Sequence, residues 1–170
     1  MNVLIRSAQY IDIQYLEVIA SETVKVMKEE GNDQWNDQYP LAEDFQRDVQ
    51  NESIFVYILD GEVAGSITID QQFSNAYSKF DWHQPVEQAM IFHRLVVNPT
   101  IRKKGIASKL ITFAESYAIE NGMTSMKVDT YSLNRKAQEL FTKHHYTFVG
   151  ERTFPERKNP FYFYEKPLNP

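Results

Sequence analysis

The chain has 170 residues, of which 42% are hydrophobic, and its formal net charge is -5. This length suits one packed core, and we expect residues 1–170 to form a single domain. The negative charge argues against a nucleic-acid partner, whose phosphates require a basic surface. The sequence contains no cysteine, which excludes disulfides, thiolate zinc sites and a cysteine nucleophile.

The N-terminal residues give no sign of a targeting segment. The sequence becomes polar by Gln9 without an apolar signal core, and no apolar run is long enough to span a bilayer. We therefore expect a cytoplasmic protein with no membrane partner.

A short strand and two helices are predicted in the first part of the chain. Residues 3–8 predict the strand, Asp12 suits the N-cap of a helix that Gly31 ends, and Pro40 precedes the second helix. The inward faces of the two helices comprise Ile13, Leu16, Ala20, Thr23, Val24 and Met27 in the first, and Leu41, Phe45 and Val49 in the second.

Trp35 and Tyr39 stand out in the polar segment between these helices. Flat aromatic rings on a loop can bind an amine or the body of a substrate. They can equally close the hydrophobic core beneath the loop. The sequence leaves both interpretations open.

A β-hairpin is predicted next. Residues 53–59 are a β-branched and aromatic run, Asp60-Gly61 is typical of a type I′ turn, and apolar residues alternate with polar ones beyond it. Residues 71–88 then form a longer polar and aromatic segment without a clear period, which contains Trp82. Segments of this length are usually functional or mobile, and we treat this one as a candidate lip of a binding cleft.

The most informative stretch is a strand, a basic loop and a helix within residues 92–110. An apolar run ends at Val97, and apolar residues recur at helical spacing from Ile106. The first amides of such a helix have no carbonyl partner within it, and the helix dipole is positive there. Positive charge and small residues precede and open this helix: Arg102, Lys103, Lys104, Gly105 and Ala107. Together they predict a site for a di- or polyphosphate.

The last part of the chain alternates strands and a helix. Residues 126–130 predict a strand, and Asn134 caps a helix with Ala137, Leu140 and Phe141 facing inward. Two more strands are predicted at residues 148–153 and 161–165, joined by a turn-rich segment.

Two motifs carry a resemblance to a known family. Arg102-x-x-Gly105-x-Ala107, between a strand and a helix, resembles the acyl-coenzyme A pyrophosphate loop of the GNAT N-acetyltransferase superfamily. Downstream, Asn134-x-x-Ala137-x-x-Leu140-Phe141 followed by Tyr146-x-x-Val149-Gly150 is similar to the second signature of that family. The order of elements also matches over nearly the whole chain. The sequence lacks the glycine motifs of P-loop NTPases and of Rossmann units.

The resemblance implies an α/β (α+β) fold of the GNAT type: a mixed, mostly antiparallel central sheet of about seven strands, with a splayed parallel pair and flanking helices. It further implies an acetyl-CoA-dependent N-acetyltransferase, with a small-molecule or peptide amine as the acceptor. The implied coenzyme A contacts are Leu95, Val96, Val97, Arg102, Lys103, Lys104, Gly105, Ile106, Ala107, Ser108, Asn134, Ala137 and Phe141. The implied acceptor contacts are Trp35, Tyr39 and Trp82.

The implied chemistry is direct attack of a neutral amine on the thioester. An alkylammonium has a pKa of about 10.4, so a base or a water relay must first remove its proton. His93 on the central strand is the candidate base, because imidazole titrates closest to neutral pH. A backbone N–H of the splayed strand, that of Val96, is the candidate donor to the developing oxyanion.

The chain departs from the family pattern at two positions. Many members have a tyrosine where this chain has Phe141, which has no proton to give to the leaving thiolate. Tyr146 or Tyr131 is the candidate substitute, and the alternative is that the thiolate leaves unprotonated into water. Members also commonly have glycine where this chain has His145; if that residue is left-handed, it costs about 1 kcal/mol relative to glycine.

Two other functions remain open from the sequence. Phe141 suits a non-catalytic coenzyme A binder or sensor of the same fold. The aromatic segment 161–164 suits a homodimer that pairs through an edge strand. A metal site at His144 and His145 is rejected, because adjacent side chains diverge and no further ligands follow at useful spacing.

Overall fold

The computed structural model describes residues 2–101 and 105–169. The strands form a seven-stranded sheet in the order β1-β2-β3-β4-β5-β7-β6. Their bounds are β1 Val3–Ser7, β2 Ile54–Leu59, β3 Glu62–Asp70, β4 Ala89–Val97, β5 Ser125–Tyr131, β6 Thr147–Arg152 and β7 Phe161–Pro167. The predicted fold class and strand number are confirmed.

Four α-helices accompany the sheet: α1 Ile13–Glu29, α2 Ala42–Gln50, α3 Ile106–Glu120 and α4 Arg135–Lys143. Short 3₁₀ helices lie at Tyr10–Asp12, Asn75–Lys79 and Val86–Gln88. The last two of these occupy the segment for which the sequence showed no period. Among the described residues, no helix has both the length and the apolar character needed to cross a membrane.

The chain divides into two compact units, Met1–Ile69 with Arg94–Ile111 and Asp70–His93 with Thr112–Pro170. In the first unit, β1, β2 and β3 pair antiparallel, and α1 and α2 contribute Leu16, Ala20 and Phe45 to the core. Asp60 and Gly61 have φ angles of 50° and 85°. Positive φ at both central residues is the requirement of a type I′ turn, which confirms the predicted hairpin.

In the second unit, β7 pairs antiparallel with both β5 and β6. Segment 161–164 is therefore not an edge strand, as the homodimer alternative required, because its backbone groups are used on both sides. The aromatic residues of β7 instead face the core, where Phe163 packs against Tyr77 and Ile91. The aromatic run therefore gives no support to edge-to-edge dimerisation.

Strands β4 and β5 are the parallel pair. Their ladder joins Ala89 to Ser125, Met90 to Met126 and Ile91 to Lys127. Both strands continue beyond these pairs, so the described ladder ends while β4 and β5 are still extended. This early end is the splay that the family resemblance implied.

Candidate active site

The first turn of α3 is the predicted phosphate site. Gly105 directly precedes this helix with a φ of 65°, and apart from its two chain neighbours no atom of the described residues lies within 4 Å of the position where its Cβ would stand. The Lys109 amide donates to the Gly105 carbonyl, 3.0 Å away, and closes the first helical turn. The open space and the helix start fit a bound phosphate group. Arg102, Lys103 and Lys104, predicted to add charge here, lie outside the described residues.

The second half of β4 carries an irregular residue. Arg94 has a φ of 49°, which interrupts the regular strand. Its guanidinium donates to both carboxylate oxygens of Asp48 on α2, at 2.6 and 2.7 Å, and to the Tyr39 hydroxyl at 2.9 Å. Burial opposes the charge, but the contacts with Asp48 and Tyr39 raise the pKa of Arg94 well above its usual range. Arg94 therefore remains a cation that fixes the strand to α2 and to the α1–α2 loop.

The two predicted acceptor residues of that loop have different environments. The Trp35 side chain is only 8% exposed and packs against Ile19 and Val96 in a core cluster. Tyr39 is 37% exposed and meets the Trp35 ring edge-on, 6.4 Å between centroids. Trp35 is thus largely enclosed by the core, whereas more of the Tyr39 side chain is exposed, and the acceptor contacts of both residues stay predictions. Leu95 and Val97 flank Val96 on the strand and are half-buried.

His93, the candidate base, lies in the second unit and contacts a carboxylate. Its Nε2 atom lies 2.8 Å from Oδ2 of Asp70, which ends β3. The His93 and Asp70 side chains are 27% and 11% exposed. An ionised carboxylate only accepts hydrogen bonds, so Nε2 is the donor and Nδ1 is the unprotonated nitrogen of the neutral ring. In the neutral form of the ring, Nδ1 is therefore the nitrogen that can accept a proton.

Asp129 and Tyr77 form a second pair on the same unit. The Tyr77 hydroxyl donates to Oδ2 of Asp129 in a very short hydrogen bond. Burial raises the pKa of Asp129, while the Tyr77 hydrogen bond and nearby His93 partly offset the rise. Burial and the Asp129 carboxylate raise the Tyr77 pKa well above its usual range. Tyr77 therefore keeps its proton and donates a hydrogen bond to the carboxylate.

Trp82 has structural partners in the segment that covers this face. Its Nε1 donates to the Tyr77 carbonyl at 2.6 Å, and its ring stacks on the Tyr77 ring. The Lys127 ammonium lies 4.3 Å from the Trp82 ring centroid and 3.1 Å from Glu165. Burial lowers the Lys127 pKa, and Glu165 opposes that shift. These contacts anchor the segment, and the predicted acceptor contact at Trp82 stays a prediction.

Tyr146 forms its hydrogen bond with other residues than the His93–Asp70 pair. Its hydroxyl donates to Oε2 of Glu115 at 2.7 Å, and Lys166 donates to the other carboxylate oxygen at 2.9 Å. Burial and the Glu115 charge raise the Tyr146 pKa well above its usual range. Tyr146 thus keeps a proton at neutral pH, and its role as an acid stays a prediction.

Asn134, Ala137 and Phe141 of the second motif have structural contacts. The Asn134 side chain accepts from the Ala137 amide at 3.2 Å and caps α4, as predicted. Phe141 is buried against the Phe92, Tyr146 and Tyr164 rings. A phenylalanine ring has no acidic proton, so this position cannot protonate the leaving thiolate. Coenzyme A contacts of Asn134, Ala137 and Phe141 stay predictions.

His145 has a φ of 68°, so the position that is glycine in many relatives is left-handed here. Together with the preceding His144, it belongs to no metal site that the structure reveals: the residues described contain no group of three or more potential ligands.

Sequence reasoning identified His93 but missed its carboxylate neighbours. Asp70, Asp129 and Tyr77 are scattered through the sequence and match no motif. One signal was available: Lys127 and Asp129 alternate with the apolar Met126 and Val128 in β5, which places both charged residues on one face.

The comparisons with known proteins agree on the family. The profile of the acetyltransferase (GNAT) family matches residues 20–146 of the chain. D-amino-acid N-acetyltransferase HPA3 of Saccharomyces cerevisiae is 28% identical over 133 residues, covering 71% of this chain and 81% of the yeast protein.

Two solved structures show the same fold. A GNAT-family acetyltransferase from Streptococcus agalactiae has a TM-score of 0.83 at 22% identity, covering 99% of this chain and 96% of its own. Salmonella typhimurium yncA, solved with its cofactor acetyl-CoA, has a TM-score of 0.74 at 17% identity, covering 100% and 96%. Because the family profile spans most of its length, the chain belongs to the GNAT family of acetyltransferases, whose cofactor is acetyl-CoA.

Proposed function

We propose that this chain is an N-acetyltransferase that uses acetyl-CoA to acetylate a primary amine of a small molecule or peptide. The observation that carries the proposal is the His93–Asp70 pair, located on β4 just beyond the end of the parallel ladder. Amine acetylation requires a group that accepts the proton of an ammonium, and Nδ1 of His93 is such a group.

The first turn of α3 supports cofactor binding. When bound, acetyl-CoA supplies an acetyl group activated as a thioester. Gly105 leaves room for phosphate oxygens to approach the backbone, and the amides of Ile106, Ala107 and Ser108 begin the helix. We assign these residues to the pyrophosphate, because a helix start favours anions through its amides and its dipole.

His93 takes the amine proton in this proposal. Asp70 holds Nε2, fixes the orientation of the ring and stabilises the imidazolium that forms when Nδ1 accepts the proton. The backbone N–H of Val96 remains the proposed donor to the oxygen of the reacting carbonyl. Tyr146 remains the proposed proton donor to the leaving thiolate, and its hydroxyl would have to exchange Glu115 for that partner.

The yeast relative suggests where to look for the acceptor. Because HPA3 is named for the acetylation of D-amino acids, D-amino acids belong among the candidate acceptors of this chain. Tyr39, partly exposed and hydrogen-bonded to Arg94, is the proposed ring against which the acceptor packs. The net negative charge of the chain favours neutral or cationic acceptors over acidic ones.

The test combines cofactor binding with turnover. Acetyl-CoA binding is measured by calorimetry, and free thiol is followed with a panel of primary amines that includes benzylamine, polyamines, peptides, and D- and L-amino acids. Any thiol detected comes from the cofactor, because the chain contains no cysteine. Binding together with amine-dependent thiol release is expected. Binding with no release on any amine contradicts enzymatic transfer.

A second function is favoured by one observation. Phe141 is enclosed by aromatic rings and offers no proton for the leaving thiolate. A coenzyme A binder or sensor without turnover has no need of such a proton. Tight cofactor binding with a silent amine panel would support this alternative.

A further inference from the structure

Asp129 is placed beside His93 by the strand register. The described β4–β5 ladder ends at Ile91 and Lys127, and each strand then continues by two residues to His93 and Asp129. Side chains two positions apart on a strand point to the same face. Asp129 therefore lies on the face of Lys127, and His93 lies on the face of Ile91. Because Ile91 and Lys127 are partners in the ladder, all four side chains share one face of the sheet. His93 is near enough to Asp129 to influence the charge of its carboxylate.

The carboxylate of Asp129 differs from those of Glu165 and Glu115 in having no ion-pair partner among the lysines and arginines that the structure describes. Glu165 pairs with Lys127 at 3.1 Å, and Glu115 pairs with Lys166 at 2.9 Å. Within the part of the chain that the structure describes, no lysine or arginine forms a salt bridge with Asp129. The residue is half-buried, so it has lost part of its hydration, and no lysine or arginine of the described residues forms an ion pair that offsets this loss.

Tyr77 fixes this unpaired carboxylate. Its hydroxyl donates to Oδ2 of Asp129, while its ring is held between Trp82 and Phe163. Tyr77 is itself buried, so the hydroxyl has little freedom to turn away. A buried donor on one oxygen leaves the other lone pairs of the carboxylate available for a ligand.

We propose that Asp129 binds the ammonium group of the acceptor, with Tyr77 as its positioning residue, and that the site thereby selects protonated primary amines. The inference rests on the proposed function and adds the residue that recognises the charge of the acceptor. A cationic amine provides the partner that Asp129 lacks. His93 then removes the proton that makes the bound nitrogen unreactive.

The charged and titratable groups around Asp129 come from several elements. They are Tyr77 in the covering segment, His93 and Asp70 on β4 and β3, and Lys127 and Glu165 on β5 and β7. Lys127 is already neutralised by Glu165 and His93 is held by Asp70. A bound ammonium therefore meets a net negative environment at Asp129.

The test uses Asp129→Asn, which keeps the shape and removes the charge. Benzylamine and benzyl alcohol serve as probes, since the alcohol replaces the ammonium with a hydroxyl. In the parent, we expect KM for benzylamine to lie at least about tenfold below the inhibition constant of benzyl alcohol. In Asp129→Asn, the two constants should become similar, while acetyl-CoA binding measured by calorimetry is unchanged.

Tyr77→Phe tests the positioning role, because it keeps the stacked ring and removes only the hydroxyl. The Tyr77 hydrogen bond lowers the Asp129 pKa, so its loss raises that pKa and delays ionisation to higher pH. The rise in benzylamine KM should therefore be larger at the lower of two pH values than at the higher one. Glu87→Gln removes an exposed carboxylate of the same unit and should leave KM unchanged.

The outcomes separate the two proposals. An active parent with an unchanged benzylamine KM in Asp129→Asn overturns the role of Asp129 and leaves the proposed function intact. A parent that binds acetyl-CoA but acetylates no panel amine overturns both. A Tyr77→Phe variant whose KM changes equally at both pH values overturns the positioning role alone.

Discussion

Arg94 and Asp48 form a two-point ion pair, with Nε and Nη2 of the arginine 2.6 and 2.7 Å from the two carboxylate oxygens. Both side chains are largely buried, 10% and 4% exposed. Thr68 donates a further hydrogen bond to Oδ2 of Asp48 at 2.8 Å. The pair thus connects the irregular residue of β4 to α2 within one unit.

Removing one partner of this pair should be strongly destabilising. Asp48→Asn leaves the Arg94 cation buried without its counter-charge, and we expect the free energy of unfolding to fall by about 3 kcal/mol or more. Glu43→Gln, an exposed change on the same helix, should alter it by less than about 0.5 kcal/mol. Urea unfolding measures both. Equal effects of the two substitutions would show that the ion pair adds no stability.

Gly105→Glu should abolish acetyl-CoA binding, because it places bulk and negative charge at the proposed pyrophosphate site. Gly122→Glu is the matched control at the other end of α3. Both glycines have positive φ, 65° and 79°, and both have open space around the Cβ position. The two variants should therefore lose similar stability, while calorimetry detects cofactor binding only in Gly122→Glu. Equal cofactor affinity in both would move the phosphate site elsewhere.

Asp129→Asn should increase stability at neutral pH. The folded-state pKa of Asp129 is raised, so its ionisation in the folded protein costs more than in the unfolded chain. This cost is absent below the ordinary pKa of 3.8 and appears as pH rises through the folded-state pKa. The variant should therefore gain free energy of unfolding relative to the parent at about pH 7 but not at about pH 3. A difference that is independent of pH would contradict the raised pKa.

Asp70→Asn should lower kcat without changing acetyl-CoA affinity. An asparagine can donate a hydrogen bond from its amide to Nε2 of His93, which favours the tautomer with the proton on Nδ1. Nδ1 then has no lone pair to accept the proton of the amine. We expect a loss of about tenfold or more in kcat. Asp81→Asn, at an exposed position, is the control. Unchanged kcat in Asp70→Asn would show that the ring needs no orientation by Asp70.

The elements of this fold could be predicted because their signals are local. The Asp60-Gly61 turn, the Asn134 cap and the helix that begins at Ile106 each depend on neighbouring residues, and each is present. The place of β7 in the sheet was not predictable in this way, because strand order depends on pairing between distant segments. Its aromatic residues suit a core strand and an edge strand equally well, so the sequence left the edge-strand alternative open.

The candidate site was predicted only where one residue has a distinctive chemistry. Imidazole singled out His93, but its partner Asp70 precedes it by 23 positions. Tyr77 and Asp129 are 52 positions apart, and neither is unusual in its own segment. Trp35 was ambiguous because an aromatic ring looks the same in sequence whether it faces a ligand or the core.

The most direct test of the account compares His93→Ala with His83→Ala, a histidine exposed on the covering segment. Thiol release from acetyl-CoA is followed with an amine that the parent acetylates, across the pH range in which imidazole titrates. We expect His93→Ala to lose about a hundredfold in kcat while its acetyl-CoA affinity and the kcat of His83→Ala stay at the parent value. A His93→Ala enzyme with the kcat and pH profile of the parent would contradict the account.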